Sequence, residues 1–536
     1  MSSGLNREIR SAIQHIALRT ERQDPKTVLD SFYDCNIIEH LKNINHQIIQ
    51  GRRGTGKTHI LHVLQNDLEC KKVHCIFFDC KATGSAGEIA NEQIPTNHRA
   101  IQLMRDFLFN LHADLIEYFK DSLCTHPNRE EIELLLDHLH KECFSYEETT
   151  NSYEKSKTAG TKAVYSDESS GEISFSPTLA FKLFNRNQKE RGMNSSQKES
   201  GTKYRKVVFP NIYKCINDLS EITGIDWVFL IDEWSNLPLT VQPHFAEFLR
   251  CCFMPSSHIT VKIAAVEART KYFIKRDNEI YGLEVGADIN VAMDLDRLYM
   301  FDRNPRKISV DLYRILLRHL KTKNVFEDDI DVSELLKILF EDAHTPILLA
   351  RAAEGNPRDF ISIINHCIIE MNVIGEQDDR ITSPIVFQAA NSWYNLDKHK
   401  ALDATQKRLL SEITTFVVQK KQNRGFVIDE DYLYSSSISS LVDARVLHVL
   451  QTERKFSNFG KGPMAIVVLD FGTYSQELWA HQSIHFLIND FYEKEIFGKG
   501  ERTYCVSPIH QLDKDRKFQL CFLDPKSPNI CPSFTE

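Results

Sequence analysis

The sequence predicts an α/β protein in which a parallel sheet, covered by helices on both faces, precedes a helical domain and a smaller mixed module. Three features carry this expectation. Compact β-branched apolar runs alternate with amphipathic stretches through the first half. A glycine loop joins the first of those runs to a helix. From about residue 305 to 400 the pattern turns helical throughout.

In chain order, residues 1–40 read as an N-terminal helical segment and 41–304 as the α/β core. HQIIQ (46–50) and KVHCIFFD (72–79) are apolar runs of strand length, and NHRAIQLMRDFLFNLHADLIEYFK carries the i, i+3, i+4, i+7 spacing of an amphipathic helix. DWVFLID (226–232) and HITVKIAAVE (258–267) are compact and β-branched, as strands buried on both faces should be. Residues 145–206 interrupt the core with a Ser-, Gly- and Lys-rich mobile insertion, in which GEISFSPTLAFKLF suggests a short hairpin. Residues 151–206 hold 11 Lys and Arg against 6 Asp and Glu, which suits a solvated loop or a contact with nucleic acid or a partner. VDLYRILLRHLKT, VSELLKILFEDA, PRDFISIINHCIIEMN and PIVFQAANSWYNLD then make 305–400 helical.

Composition excludes several classes. Of 536 residues, 42% are hydrophobic and 26% charged, close to globular values, so the chain is neither disordered throughout nor fibrous. No stretch reaches the ~18 consecutive apolar residues of a membrane span, and the first thirty residues carry no apolar core of a secretion signal. The net charge of -9 excludes a surface coated in phosphate-binding charge, though not a local basic face. The 13 cysteines show no C-x-x-C spacing, which fits a reducing cytoplasmic setting better than a disulfide or zinc framework.

The strongest motif is GRRGTGKT, which fits G-x-x-x-x-G-K-[ST] and lies between a strand and a helix. Gly51, Arg52, Arg53, Gly54, Thr55, Gly56, Lys57, Thr58 and His59 are therefore the expected nucleotide-binding residues. The glycines let successive N–H groups line one concavity, and the helix dipole adds positive potential. Lys57 would reach the β- and γ-phosphates, and Thr58 would ligate Mg²⁺. In VFLIDE, four apolar residues end in two carboxylates. Asp232 is the expected second metal residue, and Glu233 the group that polarises the attacking water.

These motifs, with the later GNPRDF, resemble those of AAA+ P-loop ATPases. Over about residues 15–480 the chain resembles the origin-recognition-complex-like group, especially its bacterial members, through GRRGTGKTHIL, LIDEWSNLPLTVQPHFAEFLR, VKIAAVEAR and AANSWYNLDKHK. The resemblance implies an ATPase using ATP and Mg²⁺, with residues 305–400 as a helical lid. Arg358 of the lid would contact the terminal phosphate as the sensor 2 residue. At the sensor 1 position the chain departs from the family, with Glu267 and then Arg269 where Asn, Ser or Thr is common. Arg269, Arg276, Arg297 and Arg303 are open choices for an arginine finger in a homo-oligomer.

Residues 401–475 read as helix, strand, helix, strand, loop and strand, an order that suits a winged-helix-like module; 476–536 form a C-terminal extension. Such a module places a helix in the DNA major groove, with Arg445, Arg454, Lys455 and Lys461 as candidate phosphate contacts. Yet residues 403–470 hold 9 Lys and Arg against 8 Asp and Glu, and YLYSSSISSLVD has no basic residue. Three functions therefore stay open. One is an ATP-driven switch acting on duplex DNA or a DNA-bound assembly. Another is an antiphage-defence or signalling ATPase that regulates an effector protein, with DNA incidental. The third is a scaffold that binds ATP and scarcely hydrolyses it.

Overall fold

The computed structural model describes residues 7–71, 73–82, 86–120, 126–144, 146–149, 180–185, 202–276, 279–301, 304–326, 329–374, 380–420, 424–433, 436–456, 459–480 and 521–522. Five parallel strands form the central sheet: β1 (Gln47–Gln50), β2 (His74–Asp79), β3 (Trp227–Asp232), β4 (Ile259–Ala265) and β5 (Asn290–Asp294). Their spatial order is β5-β1-β4-β3-β2. Every residue of β3 and β4 is buried, which is why both read as compact, mostly apolar runs; Thr260, Lys262 and Asp232 are the buried polar exceptions. The edge strand β5 is half-exposed and leaves no such signal.

Each face of the sheet has its own apolar core. On one, Phe107 of helix Thr96–Phe119 meets Phe78, Phe229, Phe245, Phe248 and Phe253 edge-on at centroid distances of 5.0–5.8 Å. On the other, Ile60, Leu61 and Leu64 of helix Lys57–Glu69 pack with Ile49, Leu230 and Ala264. This second helix lies directly behind the glycine loop, so packing aims its N-terminus at the cavity described below.

Helices Pro305–Lys321, Val332–Leu339, Thr345–Ala352, Pro357–Ile374 and Ser383–Trp393 follow. They share one continuous apolar core with helix Arg7–Gln14 and with the C-terminal module. Gly355 anchors the helices to the sheet domain: its φ is +76°, and a Cβ there would stand 1.6 Å from the carbonyl oxygen of Tyr299.

The C-terminal module runs helix Ala404–Thr414, strand Gly425–Asp429, helices Glu430–Leu433 and Ser436–Asp443, and a long hairpin, Leu447–Phe456 with Phe459–Leu469. The hairpin pairs antiparallel, and its second strand also pairs with Gly425–Asp429. The single helix expected after the first strand is two. Helix Phe471–Ala480 packs beside Ser383–Trp393, where Phe387 and Phe471 stack at 5.6 Å.

Within the 145–206 insertion the described residues are strands Tyr146–Thr149, Ala180–Asn185 and the start of Thr202–Val208, joined antiparallel. The expected hairpin over 171–184 lies mostly outside the described residues, and Ala180–Asn185 pairs with Thr202–Val208 instead. Most of the C-terminal extension, 476–536, also lies outside them. Among the described residues no helix is long and apolar enough to cross a membrane.

Candidate nucleotide site

A cavity of about 400 Å³ opens where the glycine loop, the end of β3, the lid helix Pro357–Ile374 and the N-terminal segment converge. Residues 53–59, Glu233, Asn236 and Arg358 line it; Gly51 and Arg52 do not. The loop closes on itself: Lys57 Nζ donates to the carbonyls of Gly51 (2.7 Å) and Arg52 (3.0 Å), holding the ammonium beneath the loop. Burial lowers the Lys57 pKa, and the nearby Asp296 and Asp232 act against that shift. Gly54 has φ +92°, and a Cβ there would meet Asn356 Oδ1 at 2.6 Å and Arg358 Cβ at 2.8 Å. A side chain at 54 would therefore push the lid away from the loop.

Asp232 is buried at the end of β3. Its Oδ2 accepts the Thr58 hydroxyl at 2.6 Å, and its Oδ1 accepts the Glu233 N–H at 2.8 Å. Burial pushes its carboxyl up to about 6, while the Thr58 hydrogen bond and Lys57 pull it down. A buried carboxylate and a hydroxyl on adjoining elements are a fitting donor pair for Mg²⁺. Among the described residues no cluster of three or more His, Cys, Asp or Glu could hold a metal alone. Phosphate oxygens and water would have to complete the coordination.

Glu233 adopts φ +53°, turning its side chain out of the strand line and into the cavity, where Asn236 Nδ2 donates to its Oε2 at 2.8 Å. Non-glycine residues rarely adopt this backbone region, and such strain clusters at working sites. Asn236 was not singled out from the sequence, although it stands three residues after Glu233 in the same DEW segment.

Arg358 lines the cavity from the lid, and its Nε is buried without a partner. Burial, and then Arg445, lower its pKa. The two acids beside it in sequence are engaged elsewhere: Glu354 with Arg424, and Asp359 with Lys398 and Arg445. Asn356 ties lid to loop by donating to the Arg53 carbonyl at 2.8 Å, while Arg358 N–H donates to the Gly54 carbonyl at 3.3 Å.

Several sequence-derived candidates fall differently. Arg52 turns away from the cavity: its Nε donates to Asp296 at 2.8 Å, and its guanidinium reaches His448 of the C-terminal hairpin. His59 supports the wall, with its ring 5.1 Å from Phe32 and its Nε2 2.6 Å from the Val28 carbonyl. Glu267 is exposed, and Arg269 pairs with Asp443 of helix Ser436–Asp443 rather than with Glu267. Arg297 pairs with Asp294 at 3.1 Å. Arg303 and the side chains of Arg276, Arg454, Lys455 and Lys461 lie outside the described residues.

Arg445 is not a surface phosphate contact. It is buried between Asp359 and Asp397 in an ion-pair network that links the C-terminal module to the lid and the loop. From the loop, the network runs through Arg52 and His448 to Asp470 (His448 Nε2 to Oδ2, 3.0 Å), then through Lys398 (2.6 Å from Asp470, 2.9 Å from Asp359) to Arg445. Burial and Arg52 push His448 down to about 4, so a neutral imidazole accepts from Arg52 and donates to Asp470. Burial raises the Asp359 carboxyl pKa, but Arg445 and Lys398 hold it below the usual carboxylate range.

No protein-family model and no curated protein matches the chain. Among solved structures it is similar to Cdc6p from Pyrobaculum aerophilum, at 12% identity over 90% of this chain and 98% of that one, with a TM-score of 0.31. It is also similar to the RuvB Holliday junction branch migration motor of Thermotoga maritima (11% identity, 87% and 98% covered, TM-score 0.30). A third likeness is to Drosophila ORC bound to DNA (10% identity, 88% and 94% covered, TM-score 0.30). At these identities and scores, what the site does has to follow from its own residues. The parallel sheet, with the glycine loop after β1 and the acidic pair closing β3, is the P-loop α/β architecture that the sequence predicts.

Proposed function

We propose that the chain is a Mg²⁺-dependent ATPase of the AAA+ kind that works as a switch, with its nucleotide held between the sheet domain and the lid. One observation carries this reading. A single cavity is lined by the phosphate loop with Thr58, by Glu233 and by Arg358 with its unpartnered buried donor, and Asp232 stands behind Thr58, bonded to its hydroxyl. Loop N–H groups and Lys57 would bind the β- and γ-phosphates, and Arg358 would give its free Nε–H to the terminal one. Glu233, held by Asn236, would orient the attacking water and take its proton. Bound Mg²⁺ would neutralise charge on the phosphates.

The switch reading rests on Asp359 and Arg52. Asp359, next to Arg358, holds Arg445 of the C-terminal module, and Arg52 of the loop reaches His448 of its hairpin. A change at either nucleotide contact would therefore alter how that module is held. We read the module as a winged helix that acts on duplex DNA when released. The alternative, control of an effector protein as in antiphage defence or signalling, draws on the same docking: Asp443 and Arg445 serve contacts within the chain rather than a basic DNA face.

ATP hydrolysis should be measured with and without duplex DNA at low and moderate salt, with Lys57→Ala as the blank. Turnover that DNA stimulates, and that fades with salt, supports the DNA switch. DNA-indifferent turnover favours the regulator of a partner protein. A parent no faster than Lys57→Ala contradicts both.

A further inference from the structure

Resting on the nucleotide reading above, we infer that Gln23 selects the base: its side-chain carbonyl accepts a hydrogen bond from the 6-amino group of adenine. Besides the phosphate loop, the cavity is lined by Leu18, Gln23, His59, Ile315, His319 and Ile361, a mix of aliphatic side chains and uncharged polar groups that suits a flat ring. Burial keeps both imidazoles neutral there, with His319 pushed down to about 4.

The orientation of the Gln23 amide is set by its neighbours. Nε2 donates to the Ala17 carbonyl at 2.9 Å, which leaves Oε1 as the free end, buried and without a partner. A buried acceptor left unpaired is costly, and a ligand donor placed against it recovers that cost. The mount is firm. Gln23 N–H closes the turn Thr20–Arg22 by donating to the Thr20 carbonyl at 3.0 Å. The next residue, Asp24, caps helix Pro25–Ser31 by accepting from Thr27 N–H at 2.9 Å. An acceptor fixed in this way matches the donor that adenine carries at position 6; guanine in the same orientation would set its O6 against Oε1.

The test is equilibrium binding of three Mg²⁺ triphosphates, those of adenosine, purine riboside (which lacks the 6-amino group) and guanosine, to the full-length parent and to Gln23→Leu. The parent should favour ATP over purine riboside triphosphate by about ten-fold and over GTP by about a hundred-fold. In Gln23→Leu both ratios should fall to within about three-fold. Each ratio is taken within one protein, so a partly unfolded preparation does not distort it; if the variant does not fold, the parent's own ratios decide. A parent blind to the 6-amino group, or ratios that survive Gln23→Leu, would overturn the assignment while leaving the nucleotide site intact. A parent that binds none of the three overturns the nucleotide reading, and this inference with it.

Discussion

The phosphate cavity and the C-terminal module use their charges in opposite ways. At the cavity, Lys57 rests on backbone carbonyls, Asp232 behind it on the Thr58 hydroxyl and Arg358 partly on nothing, so charged groups stand ready for a ligand the protein does not itself supply. In the module, Arg445, Asp470 and Asp443 are matched to partners within the chain, among them Lys398 of the helical region before it. The contrast teaches that a basic residue expected to meet nucleic acid can instead be paired within the chain. The arginine expected to touch phosphate is spent on holding the module against the lid.

The largest expected effect tests the closed network. Asp359→Ala would leave Lys398 and Arg445 buried with one partner fewer each, and should cost about 3–5 kcal/mol in denaturant unfolding. A cost below about 1 kcal/mol would show that the network is not a structural clamp.

The open site should respond to pH in the opposite sense to a paired carboxylate. Because the Asp232 pKa is raised to about 6, the folded protein holds a proton between pH 3.8 and about 6 that the unfolded chain has released. Ionisation of Asp232 therefore costs stability as pH rises through that window. Asp232→Asn should stabilise the nucleotide-free protein at pH 8 by about 1–3 kcal/mol, read as a higher Tm, and should abolish the effect of Mg²⁺ on ATP affinity. In the parent, Mg²⁺-dependent ATP binding should weaken as pH falls below about 6.

Gly54→Ala joins the two regions. It combines a left-handed backbone with a Cβ pressed against Asn356 and Arg358, so it should cost about 1–2 kcal/mol and loosen ATP binding roughly ten-fold, measured by unfolding and by titration. The smallest effect is expected at the half-exposed pair Arg269–Asp443, whose double-mutant coupling should stay under about 1 kcal/mol. If that pair helps to hold the module down, its removal should raise salt-sensitive binding of duplex DNA with little change in Tm.

The sequence made one part of the site legible because phosphate binding demands contiguous chemistry. GRRGTGKT needs its glycines and lysine at fixed spacing, and VFLIDE needs its acids at a strand end, so residues 53–58, Asp232 and Glu233 meet in the cavity or immediately behind it. Arg358 was readable through the resemblance that GNPRDF carries. What stayed hidden depends on tertiary approach. Asn236 and Asn356 are ordinary polar residues until a carboxylate or a loop carbonyl comes within 2.8 Å. Gln23 belongs to a segment whose helix, Pro25–Ser31, has only Val28 and Ser31 buried, and only the folded chain brings it to the cavity wall. Arg52 matched the loop pattern, yet the motif constrains its backbone and leaves its side chain to Asp296 and His448. Strand β5 went unread because a half-exposed edge strand lacks the apolar run that revealed β3 and β4.

The most direct test of the account is a paired measurement of ATP binding and ATP turnover in the parent, Glu233→Gln and Lys57→Ala. The parent should bind MgATP and hydrolyse it. Glu233→Gln should bind with similar affinity but turn over at least about a hundred-fold more slowly, and Lys57→Ala should lose tight binding. Turnover that survives unchanged in Glu233→Gln, or binding that survives unchanged in Lys57→Ala, would contradict the placement of the reaction in this cavity.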